Sequence, residues 1–396
     1  MKLWTAGGTV DRFVEEYTAG DDPVLDLRLA PYDCTASIAH VRMLGKIGVL
    51  QRGEVLALAR ELAAIRKLAL AGSFPIRVEQ EDCHTAIEER LVEKLGPVGK
   101  KVHTGRSRND QVLTALRLLS RDALDACMAA ARKLQAGLRK LQKRHGSVPL
   151  PGYTHTRKAM PSSVGLWALA FVDALADDLL LCKSVRTVLD QSPLGTAAGY
   201  GSPIALDRKM TAALLGFSRV QANPIYAQMS RGKFEMLLLH ALVQVLHDLN
   251  RMAADLVLFT MPELGYFTLH AGLTTGSSIM PHKKNPDVLE LVRASYHVVA
   301  ACENEVRSIT ANLMTGYHRD LQLLKAPLLR GLDTALRTLA VMDRVVAGIG
   351  VDRNACRKAM TPELHAAADA TRMALEQQIP FRDAYLQVAE RYRAKE

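Results

Sequence analysis

One segment combines small residues, hydroxyl groups and cations as proton abstraction beside a carboxylate would require. Residues 276–286 read GSSIMPHKKNP. Glycine and serine make a mobile loop, and the two lysines can neutralise charge that develops on an anionic substrate. A basic loop that caps the next helix is the structural alternative, and residue types alone weigh the two about equally. Hydroxyls beside a lysine pair favour the chemical interpretation.

Two further segments gather groups that suit carboxylate binding. Residues 103–111 read HTGRSRNDQ, and residues 316–325 read GYHRDLQLLK. The planar guanidinium of arginine can donate two parallel hydrogen bonds to a carboxylate, and both segments also carry other side chains that donate hydrogen bonds. The structural alternatives are a solvated first helical turn, with Asp110 complementing the helix dipole, and a cationic cluster at a helix C-terminus. The sequence leaves both alternatives open.

A histidine lies in the connection between the first two predicted long helices. Residues 151–157 read PGYTHTR, so His155 is flanked by two threonines. A histidine in such a turn is more often a surface residue, but its near-neutral pKa suits proton transfer if a carboxylate orients it. Glu290 is the candidate orienting group, although a glutamate within a helix is usually only solvated.

Two other patterns do not indicate a nucleotide-binding or zinc-binding site. Residues 192–201, SPLGTAAGYG, match neither the dinucleotide-binding nor the P-loop pattern. Cys83 and His84 stand too close together in sequence for a zinc site, and no HExxH motif occurs.

The elements that must position these groups are mostly helices. Aromatic residues make up 5% of the 396 residues and hydrophobic residues 48%, which favours helices packed by small and branched side chains. Apolar periodicity predicts five long helices that form a bundle, and seams on several of their faces predict a homo-oligomer. Their approximate bounds are 110–145, 163–190, 233–259, 287–313 and 328–349.

Shorter helices are predicted before and after this bundle. We therefore predict an N-terminal helical domain over residues 1–105, a central long-helix bundle over 106–350 and a short C-terminal helical domain over 351–396.

Composition excludes some classes of protein. The 51 basic and 41 acidic residues give a net charge of +10, but these residues are scattered along the helices, and no nucleic-acid-binding signature accompanies them. The six cysteines are widely spaced, which predicts buried reduced thiols. The first residues lack a leader's apolar core, and the most apolar helix carries three aspartates. We therefore expect a cytoplasmic protein that binds neither nucleic acid nor membranes.

Taken together, the segments resemble the fumarase/aspartase superfamily, whose signature loop reads GSSxMPxKxNP. Within it, the KKNP ending, the run HTGRSRND and the run PGYTH resemble the argininosuccinate lyases, and the resemblance covers the chain from Asp33 to the last residues. It implies a three-domain, mostly α-helical homotetramer with a central helical core, in which each active site is built from three subunits. It also implies the reversible elimination of fumarate from argininosuccinate to give arginine, and we expect no metal or organic cofactor.

The resemblance also implies roles for individual residues. Ser277 would be the base beside the substrate carboxylate, supported by Lys283, and His155, oriented by Glu290, would be the partner in proton transfer. The remaining family positions hold the substrate's carboxylates and its amino-acid end: Arg108, Asn109, Thr154, Lys283, Asn285, Tyr317, Gln322 and Lys325.

This chain also departs from the family pattern. The usual SDRD segment reads Ser230-Arg231-Gly232-Lys233, the acidic pair after Gln322 is replaced by leucines, and Asp22 replaces a serine. These changes concern the arginine arm of the substrate more than the elimination itself. A related lyase that releases fumarate from another N-substituted aspartate would tolerate these changes and is the first rival function. The second rival is a non-enzymatic structural protein, since the fold of this superfamily is also used as a crystallin.

Overall fold

The computed structural model describes residues 11–393 and is mostly α-helical, as predicted. The helices are α1 (Arg12–Ala19), α2 (Asp22–Leu25), α3 (Ala30–Lys46), α4 (Arg52–Leu70), α5 (Cys83–Leu95), α6 (Arg108–His145), α7 (Val164–Leu189), α8 (Arg208–Leu214), α9 (Pro224–Met229), α10 (Lys233–Phe259), α11 (Asp287–Thr310), α12 (Lys325–Ala347), α13 (Arg353–Lys358), α14 (Ala366–Glu376) and α15 (Phe381–Arg393). The five longest are α6, α7, α10, α11 and α12, which confirms the predicted long helices to within a few residues at each end.

Six short strands pair two by two and form no larger sheet among the described residues. They are β1 (Pro149–Thr154), β2 (Arg157–Ser163), β3 (Gln191–Ser192), β4 (Arg219–Val220), β5 (Phe267–Leu269) and β6 (Ile349–Val351). β1 and β2 are antiparallel, as are β5 and β6, whereas β3 and β4 are parallel. The segment between the first two long helices, predicted only as a turn, is therefore a β-hairpin.

The chain folds into two compact units, each built from three separate stretches of sequence. Unit 1 contains the described residues up to Ala126 together with Leu181–Val243 and Val298–Thr334. Unit 2 contains Cys127–Leu180, Gln244–His297 and the described residues from Ala335 onwards. The three-domain boundaries stay a prediction. The first eight residues, on which the interpretation about a leader depends, lie outside the described residues.

In unit 1, a buried carboxylate fixes the start of α6. Asp110 is fully buried, and its Oδ1 accepts a hydrogen bond from the Ser107 backbone N–H (2.9 Å). Its Oδ2 accepts hydrogen bonds from the backbone N–H groups of Gly195 (2.8 Å) and Ala197 (3.0 Å). Burial raises the pKa of Asp110 to about 6, against the opposing effect of these donors. The glycine-rich run of residues 192–201 thus binds a carboxylate of its own chain.

In unit 2, polar side chains connect the long helices. Trp167 Nε1 of α7 donates to Asp255 Oδ2 of α10 (2.9 Å), and Asn250 Nδ2 of α10 donates to the Arg293 carbonyl of α11 (2.9 Å). Gln135 Nε2 of α6 donates to a carbonyl of α7 (2.8 Å). Buried side chains of α14 and α15 pack together as a separate small core.

The cysteines and the apolar helices bear on two expectations drawn from composition. All six cysteines are buried, as expected for reduced thiols. Within residues 11–393, no helix is long and apolar enough to span a membrane.

Two neighbouring aspartates of unit 2 lie on α7 and α10, Asp178 buried and Asp248 partly buried. Asp178 is only 6% exposed, and burial together with the neighbouring Asp248 raises its pKa to about 7. A carboxyl group that ionises at pH 3.8 when solvated therefore keeps its proton in the folded state up to near-neutral pH. The raised pKa of Asp178 therefore contributes to the free energy of unfolding in full below pH 4, and this contribution is lost as the pH rises through 7.

We therefore expect Asp178→Asn to stabilise the protein by about 1–3 kcal/mol at pH 8, with the gain shrinking towards zero near pH 4. Urea unfolding at several pH values measures this difference. Asp173→Asn, at an exposed position of the same helix, is the control and should change stability by less than about 0.5 kcal/mol. A gain for Asp178→Asn that did not change with pH would contradict the assignment.

Candidate active site

A cavity of about 370 Å³ in unit 1 brings together five of the predicted substrate-binding residues. They come from the start of α6 and from the segment that precedes and begins α12: Arg108, Asn109, Tyr317, Gln322 and Lys325. The two predicted carboxylate-binding segments, 103–111 and 316–325, therefore face one space although about 200 residues separate them.

Acidic residues at the N-terminal end of α5 hold Arg108. Its Nε donates to Asp82 Oδ2 (2.7 Å), its Nη2 also contacts Asp82, and Glu81 lies 3.5 Å from Nη2. Asp82 caps α5 at the same time, because its Oδ1 accepts from the Thr85 backbone N–H (2.9 Å). The guanidinium is thus fixed on the cavity wall before any ligand binds.

Lys325 occupies the most buried cationic position in the cavity. It is 3% exposed, and its Nζ lies 2.6 Å from Asp22 Oδ2 and 2.7 Å from Asp26 Oδ1. Burial alone would lower the pKa of Lys325, but the two carboxylates outweigh this effect and raise it. Burial also raises the pKa of Asp22 to about 6 even though the lysine opposes this shift. The departure at position 22 therefore adds a second acid beside Lys325.

The C-terminal end of α1 is bound to the segment before α12. Gln322 Nε2 donates to the carbonyls of Thr18 (2.9 Å) and Ala19 (3.1 Å), and Arg319 Nη2 donates to the Thr18 carbonyl (2.8 Å) and contacts Glu81. The amide of Gln322 therefore binds the last two residues of α1, close in sequence to Asp22 of the cavity lining.

Sequence reasoning missed Arg231 as a site residue and treated its segment only as a departure. Arg231 lines the cavity, is 5% exposed, and lies with its guanidinium carbon 5.2 Å from the centre of the Tyr317 ring. No signal in the sequence distinguishes this arginine from others. In the structure it lies between a short helix and a long apolar one, and the next residue, Gly232, has φ +78°. Burial lowers the pKa of Arg231.

Histidines also line this cavity. His84 Nδ1 lies 3.2 Å from Asp33 Oδ1, and both side chains are buried. Burial opposes both charges, but each partner outweighs it, so the pKa of His84 is raised and that of Asp33 is lowered. Burial and then Arg106 lower the pKa of His103 to about 4. The cavity therefore holds one histidine that favours its charged form and one that favours its neutral form.

One trio in residues 11–393 has ligand atoms close enough to hold a metal ion: Asp26, Cys83 and His84, within 4.8 Å of one another. The two oxygens of Asp26 already accept from Lys325 Nζ and from the Cys83 backbone N–H (3.1 Å). An ammonium group in this position repels a cation. The trio therefore does not fit a metal ion.

The loop 276–286 lies in unit 2, and only its base is tied. Thr275 and Asn285 exchange two backbone hydrogen bonds (3.1 and 2.8 Å), and Asn285 Nδ2 donates to the Gly276 carbonyl (3.3 Å). Beyond this base the loop is mostly exposed, with Ile279 82% exposed. Ser277 Oγ accepts a hydrogen bond from the Met280 backbone N–H (3.1 Å) and a longer one from Ile279 (3.4 Å). Such donors favour an alkoxide over the neutral hydroxyl.

Thr154 and His155 lie at the tip of the β1–β2 hairpin. The two loop residues, His155 and Thr156, have φ values of +51° and +57°, as a two-residue hairpin loop requires, although neither is glycine. Tyr153 anchors the hairpin, because its hydroxyl lies 2.7 Å from that of the buried Tyr266. Strained backbone of this kind concentrates at functional sites.

The structure of the single chain does not bring all predicted groups together. Within the described residues, no hydrogen bond joins His155 to Glu290, which is exposed on the first turn of α11. Lys283 is exposed on the loop and, in the part of the chain that the structure describes, forms no salt bridge. The roles assigned to Ser277, His155, Lys283 and Glu290 therefore stay predictions.

Comparison with known proteins gives the chain's relatives. A family model described as lyase matches residues 5–300. The argininosuccinate lyase of Thermotoga neapolitana is 51% identical over 391 residues, which cover 99% of this chain and 98% of that protein. The argininosuccinate lyase of Sorangium cellulosum is 49% identical and covers 98% of this chain and 90% of that protein.

Among solved structures, an EDDS lyase variant with bound fumarate superposes with a TM-score of 0.82 at 24% identity, covering 97% of this chain and 76% of that chain. This likeness supports the fold alone, whereas the relatives at about half identity extend over nearly the whole sequence. The chain belongs to the lyase family of the fumarase/aspartase superfamily and, within it, to the argininosuccinate lyases.

Proposed function

We propose that this chain catalyses the reversible elimination of fumarate from argininosuccinate, giving arginine. The observation that carries the proposal is the cavity of unit 1, where five family positions for substrate binding meet in a chain that also keeps the complete signature loop. In the reaction a C–H bond and a C–N bond of the succinyl part break, a C=C bond forms, and the proton reaches the leaving nitrogen.

We assign Ser277 as the base that removes the proton beside a substrate carboxylate. A free serine is far too weak a base, so its alkoxide needs hydrogen-bond donors and nearby positive charge. The backbone N–H of Met280 already points at Ser277 Oγ, and Lys283 follows six residues later on the same loop. Loop closure over the substrate would exclude water and bring this charge to the carbanion, which has aci-carboxylate character.

His155 is the proposed partner that transfers the proton to the leaving guanidinium, with Glu290 as its orienting carboxylate. The backbone strain at the hairpin tip supports this role, because conformations with positive φ cost about 1–3 kcal/mol each at non-glycine residues and persist where function requires them. Thr154 and Asn285 complete the proposed contacts to the substrate's carboxylates.

We further propose a cytoplasmic homotetramer whose active sites are each built from several subunits. Large apolar side chains on the long helices support an oligomer: Leu166 and Leu180 of α7 and Leu291 of α11 are each at least 60% exposed. We expect these side chains to take part in contacts between copies, because contiguous exposed apolar surface marks protein–protein contacts. The absence of an His155–Glu290 hydrogen bond within the described residues of one chain agrees with a pair formed between copies.

The reaction is tested by mixing purified protein with argininosuccinate and following fumarate by its ultraviolet absorbance. Arginine and fumarate appearing in equal amounts would support the proposal. Faster turnover of another N-substituted aspartate would replace the substrate and keep the reaction type. A folded oligomer that releases fumarate from none of these adducts would revive the crystallin-like alternative.

Shared active sites predict complementation between inactive variants. We expect Arg108→Gln and His155→Asn to be nearly inactive alone, and a mixture unfolded and refolded together to recover about a quarter of wild-type activity. This follows because some mixed sites draw both residues from unaltered copies. The measured quantity is fumarate release after co-refolding, and each variant refolded separately is the control. No recovery from a mixed oligomer would contradict sharing between subunits.

A further inference from the structure

Five arginine and lysine side chains line the cavity of unit 1, and four of them are either in ion pairs or donate hydrogen bonds from both terminal nitrogens. Arg108 contacts Asp82, Arg319 contacts Glu81, and Lys325 lies between Asp22 and Asp26. Arg106 donates from both terminal nitrogens, to Ser37 Oγ (2.8 Å) and the Val102 carbonyl (2.9 Å), and it interacts electrostatically with Asp33 and Asp110. The fifth is Arg231.

Within the described residues, Arg231 forms no salt bridge and makes one long hydrogen bond, from Nη2 to the Leu321 carbonyl (3.3 Å). Its Nε and Nη1 are buried and have no hydrogen-bond partner there. A buried guanidinium with unused donors is costly, because it has lost its water without gaining an acceptor. An anion that enters the cavity can supply an acceptor for these donors, and a carboxylate forms strong charge-assisted hydrogen bonds with a guanidinium.

The charges around Arg231 indicate which end of the substrate this side chain binds. Arg231 interacts electrostatically with Tyr317, then Glu235, then Asp22, and of these two acids Asp22 alone is among the residues that line the cavity. An anion-binding and a cation-binding group therefore face the same space. The amino-acid end of argininosuccinate carries one carboxylate and one ammonium group. The succinyl end carries two carboxylates and would be repelled by Asp22, and the proposed chemistry assigns it to the loop of Ser277.

We infer that Arg231 binds the α-carboxylate of the substrate's amino-acid end and thereby selects an α-amino acid as the leaving group. The inference rests on the proposed function and goes beyond it, because it assigns specificity to one residue of the segment 230–233, which the sequence analysis treated only as a departure from the family pattern. The Tyr317 ring holds the guanidinium plane, and Asp22 receives the α-ammonium group.

The reverse reaction tests this inference directly. Arginine and agmatine both carry the guanidinium that adds to fumarate, but agmatine lacks the α-carboxylate. We expect wild-type protein to use arginine with a kcat/KM about 100-fold or more above that for agmatine, because a site built for a polar group rejects the analogue that lacks it. Arg231→Met should reduce this preference to less than about 10-fold, by losing activity with arginine while agmatine activity changes only a few-fold.

Arg117→Met is the matched control. Arg117 is also buried, donates to the Gln191 carbonyl (3.3 Å) and Ser230 Oγ (3.4 Å), and does not line the cavity. Its loss should lower both activities alike and leave the preference for arginine unchanged. Arg231→Lys keeps the charge without the fork and should give an intermediate preference.

Two outcomes would overturn the inference while the proposed function stands. One is an equal loss of both activities in Arg231→Met. The other is a wild-type protein that condenses fumarate with arginine and agmatine equally well, a result that needs no variant to fold. Wild-type protein that forms neither adduct would instead refute the proposed function, and the inference with it.

Discussion

Ser277→Ala is expected to lower kcat for argininosuccinate cleavage by about 10³-fold while KM changes less than about threefold. The reason is that Oγ is proposed to act only as the proton leaves carbon, so its loss removes an interaction of the transition state rather than of substrate binding. The loop base, with its Thr275–Asn285 pairing, does not involve the serine hydroxyl and should persist in the variant. Steady-state kinetics of fumarate release measures both constants.

Ser278→Ala is the control for this experiment. It removes a hydroxyl from the adjacent, exposed position of the same loop and should retain at least about a third of wild-type kcat. If Ser277→Ala kept more than about a tenth of wild-type kcat, the base would have to be sought elsewhere, and the His84–Asp33 pair of the cavity would be the next group to test.

Lys325→Met is expected to cost about 3–5 kcal/mol of folding stability at pH 8, because it leaves the carboxylates of Asp22 and Asp26 buried without their shared cation. The loss should be smaller at pH 5. Asp22 has a pKa of about 6 even beside the lysine, so at pH 5 it is mostly protonated and the uncompensated charge falls. The midpoint of urea unfolding at the two pH values measures the difference.

An exposed ion pair provides the comparison. Lys46 Nζ lies 2.7 Å from Asp207 Oδ2, the same kind of contact, but the lysine side chain is 60% exposed. Lys46→Met should therefore change stability by less than about 1 kcal/mol at either pH. Adding Asp26→Asn to Lys325→Met should restore part of the lost stability, and a double variant that is less stable than Lys325→Met would contradict this account.

The helices were predictable because apolar residues repeat at helical spacing over more than 20 residues in each long segment. The hairpin of β1 and β2 was not, since its strands are short, contain three prolines and a glycine, and turn through two non-glycine residues with positive φ. Nothing local in PGYTH distinguishes that arrangement from a plain turn.

Residues of the candidate site could be predicted only where they belong to a recognisable sequence motif. The meeting of segments 103–111 and 316–325 in one cavity follows from tertiary packing, which residue spacing does not encode. Arg231 was missed for a different reason. Among the described residues it has no acidic partner in an ion pair, and a buried arginine of this kind looks in sequence like any other arginine.

The contact between Asp110 and residues 195 and 197 has a consequence for how these segments can diverge during evolution. The glycine-rich run of residues 192–201 binds the Asp110 carboxylate through main-chain N–H groups. Selection therefore acts on the backbone conformation of this run rather than on most of its side chains. Gly195 is constrained individually, since it has φ +86° and a Cβ there would lie 2.9 Å from Arg208 Cγ. Position 110 has no such freedom, because glutamate is one methylene longer and asparagine replaces an acceptor with a donor. Drift should therefore appear at Ala198 and Tyr200 well before it appears at Asp110.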